Sequence, residues 1–196
     1  KIISKKISKN FWTQQVDRQE FDDAFQWVRQ HFSFLYHADG TLSTMESIVE
    51  RLQVAVMRYG IRGCVIDPYN FIQRPRATST ETEWVSDILT RLKNFCIVNE
   101  IHAWFVAHPT KLVKQANGEI GLPGGYDISG SANFYNKTDN GLTVHRTERD
   151  PATTIIKVWK IRHAWMGKQG TTHLGYDPSS TTYVPISVGD IGITGS

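Results

Sequence analysis

The sequence has no apolar run approaching the ~20 residues that a membrane-spanning helix needs, which excludes a helical transmembrane chain. Cysteine is scarce: Cys64 and Cys96 both fall inside apolar runs and are spaced neither as zinc ligands nor as a disulfide framework. That usage points to a reducing, cytoplasmic compartment. The start, KIISKKISKNFW, carries lysines but no apolar signal-peptide core and no initiator Met, so secretion is not expected and the chain reads as an internal or processed segment. Charge of one sign is scarce too, with 22 Lys and Arg against 19 Asp and Glu, too small an excess to announce a polyanionic ligand by itself. No internal repeat is present. What remains is 196 residues that are 40% hydrophobic and 21% charged, enough for one domain with a full core and outside the disordered, collagen-like and coiled-coil classes.

Capping signals and periodicity divide the chain. Asp17 and Glu20 have the spacing of a capping box, and Phe21, Ala24, Phe25, Val28 and Phe32 follow at helical intervals. Residues 32–36 (FSFLY) are short and aromatic, as a strand would be, with Asp39-Gly40 as the exit. A second box, Ser43 to Glu46, opens a helix with the stripe Met45, Ile48, Val49, Leu52 and Val56, stopped by Gly60. Residues 63–67 (GCVID) read as a buried strand ending in a carboxylate. A third box, Thr80 to Glu83, opens a helix with the stripe Trp84, Val85, Ile88, Leu92 and Phe95, and residues 103–107 (AWFVA) form the next strand before His108-Pro109. Alternating strands and helices with short links predict an α/β fold, a mostly parallel sheet flanked by helices. From Lys111 to about Ser129 no periodic apolar segment occurs, which marks a functional or disordered loop. The rest is β-rich, at residues 141–146, 153–162 and 181–186, with turns at Asp150-Pro151 and Asp177-Pro178. Residues 1–186 therefore form the predicted domain and residues 187–196, rich in Gly, a flexible tail.

Two residues end predicted strands with chemistry to offer. Ligands of open α/β sheets bind beyond the carboxyl ends of strands, and a carboxylate there, Asp67, can hold Mg²⁺ through water. A turn cap is the plainer role for the same residue. His108 ends the next strand, so parallel pairing puts both on one rim, where a polar group can sense a phosphate or position water; a structural histidine is the alternative. Lys160 and Arg162 are two apart in a strand, so alternation aims both at one face, where cations can meet an anion or, alternatively, a cross-strand carboxylate. They lie in a basic stretch, Lys137 to Lys168, with seven Lys and Arg against three Asp and Glu, whose bland reading is a solvated basic face. The phosphate-binding loop G-x-x-x-x-G-K-[ST] occurs nowhere. Gly167-Lys168 is a decoy, because Gln stands at 169 and Arg at 162.

The run from Tyr126 to Arg146 (YDISGSANFYNKTDNGLTVHR), preceded by residues 65–70 (VIDPYN) and 106–109 (VAHP), resembles the RecA-like ATPase domain of ring-shaped replicative DNA helicases. The likeness is to the DnaB and Twinkle type and to the primase-helicases of phages and mobile elements, and it extends over about Phe32 to Tyr183. It implies a RecA-like P-loop NTPase core, N-terminally incomplete because the phosphate loop and a catalytic glutamate would lie upstream. It also implies ATP and Mg²⁺ as cofactors, with Asp67 as the Mg²⁺-associated carboxylate and His108 as the γ-phosphate sensor. Gly130, Ser131, Ala132 and Asn133 would belong to the motif contacting single-stranded DNA, with Lys111 and Lys114 as phosphate contacts by charge alone. Lys160 and Arg162 match the family's Lys-x-Arg, the arginine being the finger offered to a neighbouring subunit, where such a group can be worth ~10³–10⁵ in rate. The implied partners are single-stranded DNA, further copies of the chain in a hexameric ring, and a fused or associated primase. The chain alone is expected to be inactive. Two other classes remain: a non-catalytic DNA-binding or ring-assembly module, and a metal-dependent nuclease using Asp67 with Asp127 or Asp139.

Overall fold

A computed structural model describes residues 1–10, 12–36, 43–74, 80–110, 121–128, 131–146 and 152–186. The chain divides into two compact units, one of residues 34–141 and 159–167, the other of residues 1–33, 142–158 and 168–196. The expected loop lysines Lys111 and Lys114, Gly130, the Asp39-Gly40 and Asp150-Pro151 turns and the 187–196 tail lie outside the described residues.

In the first of these units, helices α3 (Met45–Tyr59) and α4 (Glu81–Val98) cover one face of a parallel pair of strands, β1 (Gly63–Ile66) and β2 (His102–Phe105). The Thr80 box forms in full: Thr80 Oγ1 accepts from the Glu83 N–H, and the Glu83 carboxylate accepts from the Thr80 N–H at 2.8 Å. These bonds hold the Glu83 carboxyl below its usual range. Gly60 closes α3 at φ 60°, where a side chain would be strained. The stripes predicted for the two helices supply Met45, Leu52, Val85, Ile88, Leu92 and Phe95 to a core completed by Tyr69, Ile72, Ile101 and Phe134. The Tyr69 ring stands edge-on to Phe134 at 5.1 Å.

Three expectations are corrected here. Residues 32–36 form no strand, and Phe32, Phe34, Leu35 and Tyr36 are exposed; among the described residues no neighbouring strand offers them a ladder, and aromatic content alone cannot replace one. The α3 cap is Thr44 rather than Ser43, its hydroxyl accepting from the Ser47 N–H, so no reciprocal glutamate takes part. Strand β1 alternates in burial instead of being buried throughout: Cys64 and Ile66 face the core and Val65 is 65% exposed.

The other unit pairs a short N-terminal helix, α1 (Ile2–Ile7), with α2 (Arg18–His31). Asp17 caps α2 as the sequence indicates, but Glu20 does not reach back; it pairs with Lys9 at 2.6 Å. Strands β3 (Asn140–Arg146), β4 (Thr153–Ile161), β5 (Gly170–Asp177) and β6 (Thr182–Pro185) form a sheet in that order, the last two pairings antiparallel. The Asp177 turn into β6 is tied by the Ser179 N–H and the Ser179 and Ser180 hydroxyls, which lower the Asp177 carboxyl to about 2. Helix α5 (Ser131–Lys137), like α1 and β5, was not expected from periodicity.

Candidate functional site

The register of the parallel pair settles where the strand-end residues stand. Gly63 pairs with His102 and Ile66 with Phe105, so Asp67 and His108 leave adjacent strands at the same rim. Backbone bonds continue past the ladder: the Val106 N–H donates to Ile66 O at 2.9 Å, and the Tyr69 N–H donates to Val106 O at 3.0 Å. The Asp67–Pro68 peptide is cis. Both side chains are exposed, and among the described residues neither makes a side-chain hydrogen bond or ion pair. After His108 the chain is pinned at once, because the Thr110 N–H and hydroxyl both donate to Asp127 O, at 2.7 and 2.8 Å.

An uncommitted carboxylate oxygen beyond a parallel strand fits Mg²⁺ chemistry, since that ion keeps several waters and takes only one or two protein carboxylates beside phosphate oxygens. Asp67 would be the residue to hold such an ion, and His108 leaves the adjacent strand at the same rim. Among the described residues no group of three His, Cys, Asp or Glu is placed to hold a metal by itself. The carboxylates a nuclease would need are occupied: Asp127 Oδ2 accepts from the Gly124 N–H at 2.6 Å, and Asp139 carries two ion pairs.

Helix α5 carries three of the residues expected to meet DNA. Ala132 is exposed. Asn133 has a structural task that the sequence did not reveal, donating its amide to Thr82 O at 2.9 Å, and Lys137, one turn on, donates to Ser86 O at 2.9 Å and to the Thr90 hydroxyl. The i, i+4 pair thus docks α5 along α4. Ser131 opens the helix.

Lys160 and Arg162 share a face, and within this chain both are engaged by the end of α5 while Arg162 stays exposed. Lys160 Nζ donates to the Tyr135 carbonyl and, at 3.4 Å, to Asn136 O; Arg162 Nη2 donates to Asn136 O at 2.9 Å and Thr138 O at 3.3 Å. The last turn of a helix leaves carbonyls without intrahelical donors and carries negative partial charge, so the end of α5 attracts both cations. Asp139 completes the cluster, its Oδ1 accepting Arg162 Nε at 2.5 Å and Lys93 Nζ at 2.7 Å. Partial burial pulls the Asp139 carboxyl upward, and the Lys93 and Arg162 contacts outweigh it, leaving the group below its usual range. Burial, and then the neighbouring Arg162 charge, lower Lys160. Lys93, on the outer side of α4, is the member no motif pointed to.

No family model matches the chain. It is 38% identical over 195 residues to a Twinkle homolog protein, chloroplastic/mitochondrial, of Arabidopsis thaliana, an alignment covering 93% of this chain and 27% of that protein. The fold is similar to the ATPase domain of G40P, with TM-score 0.74 and 15% identity over 95% of this chain and 69% of that one. It is also similar to a DnaB-like replicative helicase described with its interactions with primase, at TM-score 0.66 and 14% identity over 94% of this chain and 47% of that one. The chain thus spans about a quarter of the curated relative it matches. Sequence and fold point the same way: the chain has the fold of DnaB-type ATPase domains and is similar in sequence to a Twinkle homologue.

Proposed function

We propose that the chain forms part of the motor of a replicative DNA helicase, which couples ATP hydrolysis to movement along single-stranded DNA and unwinding of the duplex. The observation that carries this reading is the shared rim of Asp67 and His108 at the tips of parallel strands in a RecA-like fold. When bound, ATP would supply a phosphoanhydride and Mg²⁺ would neutralise its oxygens; Asp67 would hold the ion and His108 would meet the terminal phosphate. The cation pair Lys160 and Arg162 serves a neighbouring copy in a ring, which requires their bonds to α5 and Asp139 to be exchanged for bonds across the interface. A primase, the partner named for the DnaB-like relative, is the associated enzyme expected.

No G-x-x-x-x-G-K-[ST] occurs in these 196 residues, so ATP turnover needs a phosphate loop from outside them. Purified, the chain should show no ATPase activity. In the protein that joins this segment to a phosphate loop, Asp67→Asn and Arg162→Ala should each abolish DNA-stimulated turnover. Subunits carrying Arg162→Ala should recover activity when mixed with Asp67→Asn subunits, because each supplies the half the other lacks. Recovery that fails while both variants still assemble would remove the shared-site reading. The intrachain engagement of Arg162 weighs against a finger role, and the second reading is a non-catalytic DNA-binding or ring-assembly module. Under that reading Arg162→Ala alters assembly and leaves turnover per ring unchanged.

A further inference from the structure

An aromatic column rises beside α5. The ring of Tyr126 stacks on Tyr135 with centroids 4.4 Å apart and planes 20° apart, and Tyr135 stacks in turn on Trp159 at 5.7 Å and 23°. Three separate pieces of chain hold it: the turn before α5, α5 itself and the end of β4. The base of the column is closed by two glycines. A Cβ at Gly141 would stand 2.2 Å from Trp159 and one at Gly125 would stand 2.6 Å from it, so the backbone presses directly on the indole. Lys160 Nζ lies over the Tyr135 ring, 4.8 Å from its centroid, and pins the middle ring. The top is different. Tyr126 is 61% exposed, and among the described residues its outer face has no aromatic partner.

We infer that Tyr126 is a stacking platform for a nucleobase of single-stranded DNA. A rigidly backed, solvent-facing aromatic ring gains by covering its outer face, and a planar π-system of similar size continues the column with little ordering cost. Bases present a free face only when unpaired, which selects a single strand over a duplex. Lys160 is committed within the column, its Nζ donating to Tyr135 O and Asn136 O, so the ring face rather than charge carries the contact. Tyr126 also lies just before Ser131–Asn133 in the sequence, the described part of the segment proposed to meet DNA. This last step rests on the proposed function, whereas the column itself does not. Stacking adds a contact that phosphate-binding lysines cannot supply, one sensitive to the presence of bases and indifferent to their identity.

The test compares a fluorescent oligo-dT with an abasic phosphodiester strand of equal length, each titrated by anisotropy with the chain at one fixed low salt concentration. The platform predicts that the wild type prefers the base-bearing strand by about fivefold or more. Tyr126→Phe should keep that preference; Tyr126→Ala should erase it while leaving abasic binding and its salt dependence unchanged. An unaltered urea midpoint shows that the fold beneath the ring is intact in each variant. Equal affinity of the wild type for both strands, or full preference retained by Tyr126→Ala, overturns the platform and leaves DNA binding standing. Absence of binding to either strand overturns both. Loss of self-association in Tyr126→Ala without any base preference overturns the platform in favour of a contact between copies.

Discussion

Arg162 and Asp139 are joined twice, once by side chains, with Nε 2.5 Å from Oδ1, and once by backbone, the Arg162 N–H donating to Asp139 O at 2.8 Å. The double link fixes the guanidinium relative to the end of α5, so the segment resembling a DNA-contacting motif and the cation pair at the end of β4 share one support. A displacement of α5 along its axis would therefore change the surroundings of Arg162.

The Asp139 carboxyl lies below its ordinary value in the folded chain. A depressed carboxylate stabilises the fold above the unfolded value of 3.8 and loses that contribution as pH falls through the folded value. The urea midpoint of the wild type should fall as pH drops below about 4. Asp139→Asn should flatten that dependence and lower the midpoint at neutral pH. Because the carboxylate is 48% exposed, added salt should shrink the difference.

Gly141→Ala and Gly125→Ala should each cost about 1–3 kcal/mol, since a methyl group has no room against Trp159 and the ring must leave its stack. Urea denaturation reads the loss and near-UV circular dichroism reads the displaced indole. With Trp159→Phe in the background, Gly141→Ala should cost less than it does alone, because the clash is with the larger ring.

Ile88 on α4 is 1% exposed and Met57 on α3 is 78% exposed. Ile88→Ala should lower stability by about 2–5 kcal/mol, the combined loss of transfer energy and the cavity left behind. Met57→Ala should change it by no more than about 0.5 kcal/mol. Equal shifts in the urea midpoint would contradict the placement of α3 and α4 in the core.

Burial, reinforced by Cys96, pushes the Cys64 thiol up to about 11. The thiolate is the reactive form, so at about pH 8 only a fraction on the order of one in a thousand is available. Native Cys64 should resist alkylation, react rapidly in urea, and gain reactivity in the folded state only as pH approaches 11. Mass spectrometry after timed quenching measures each rate.

Helices α3 and α4 were legible because their apolar residues recur at 3.6-residue spacing and their first residues cap backbone N–H groups, both properties of local sequence. Strands β1 and β2 were legible from short apolar runs, and Asp67 and His108 from their positions directly after them. Helix α5 was not, because its seven residues bury only Phe134 among the described side chains and depend on Asn133 and Lys137 bonding to α4, a long way off in sequence. Strand β5 escaped notice for a related reason: GTTHLGYD lacks an apolar alternation, and its strand state comes from ladders to β4 and β6. The supposed strand at 32–36 is the converse, strand composition with no partner.

Local pattern by itself determined the α/β class, the three helix starts at Asp17, Thr44 within one residue and Thr80, and the carboxylate and imidazole that follow successive strands. Tertiary structure alone decided the register, Gly63 opposite His102, that puts Asp67 and His108 on one rim of the expected parallel pair. It alone turned Lys160 and Arg162 back onto α5 and built the column under Tyr126. The physical reason is range: capping and periodicity act within a few residues along the chain. Ion pairs, ring stacks and register join residues brought together only by the fold, and no spacing in the sequence encodes which carbonyl or ring a side chain will find.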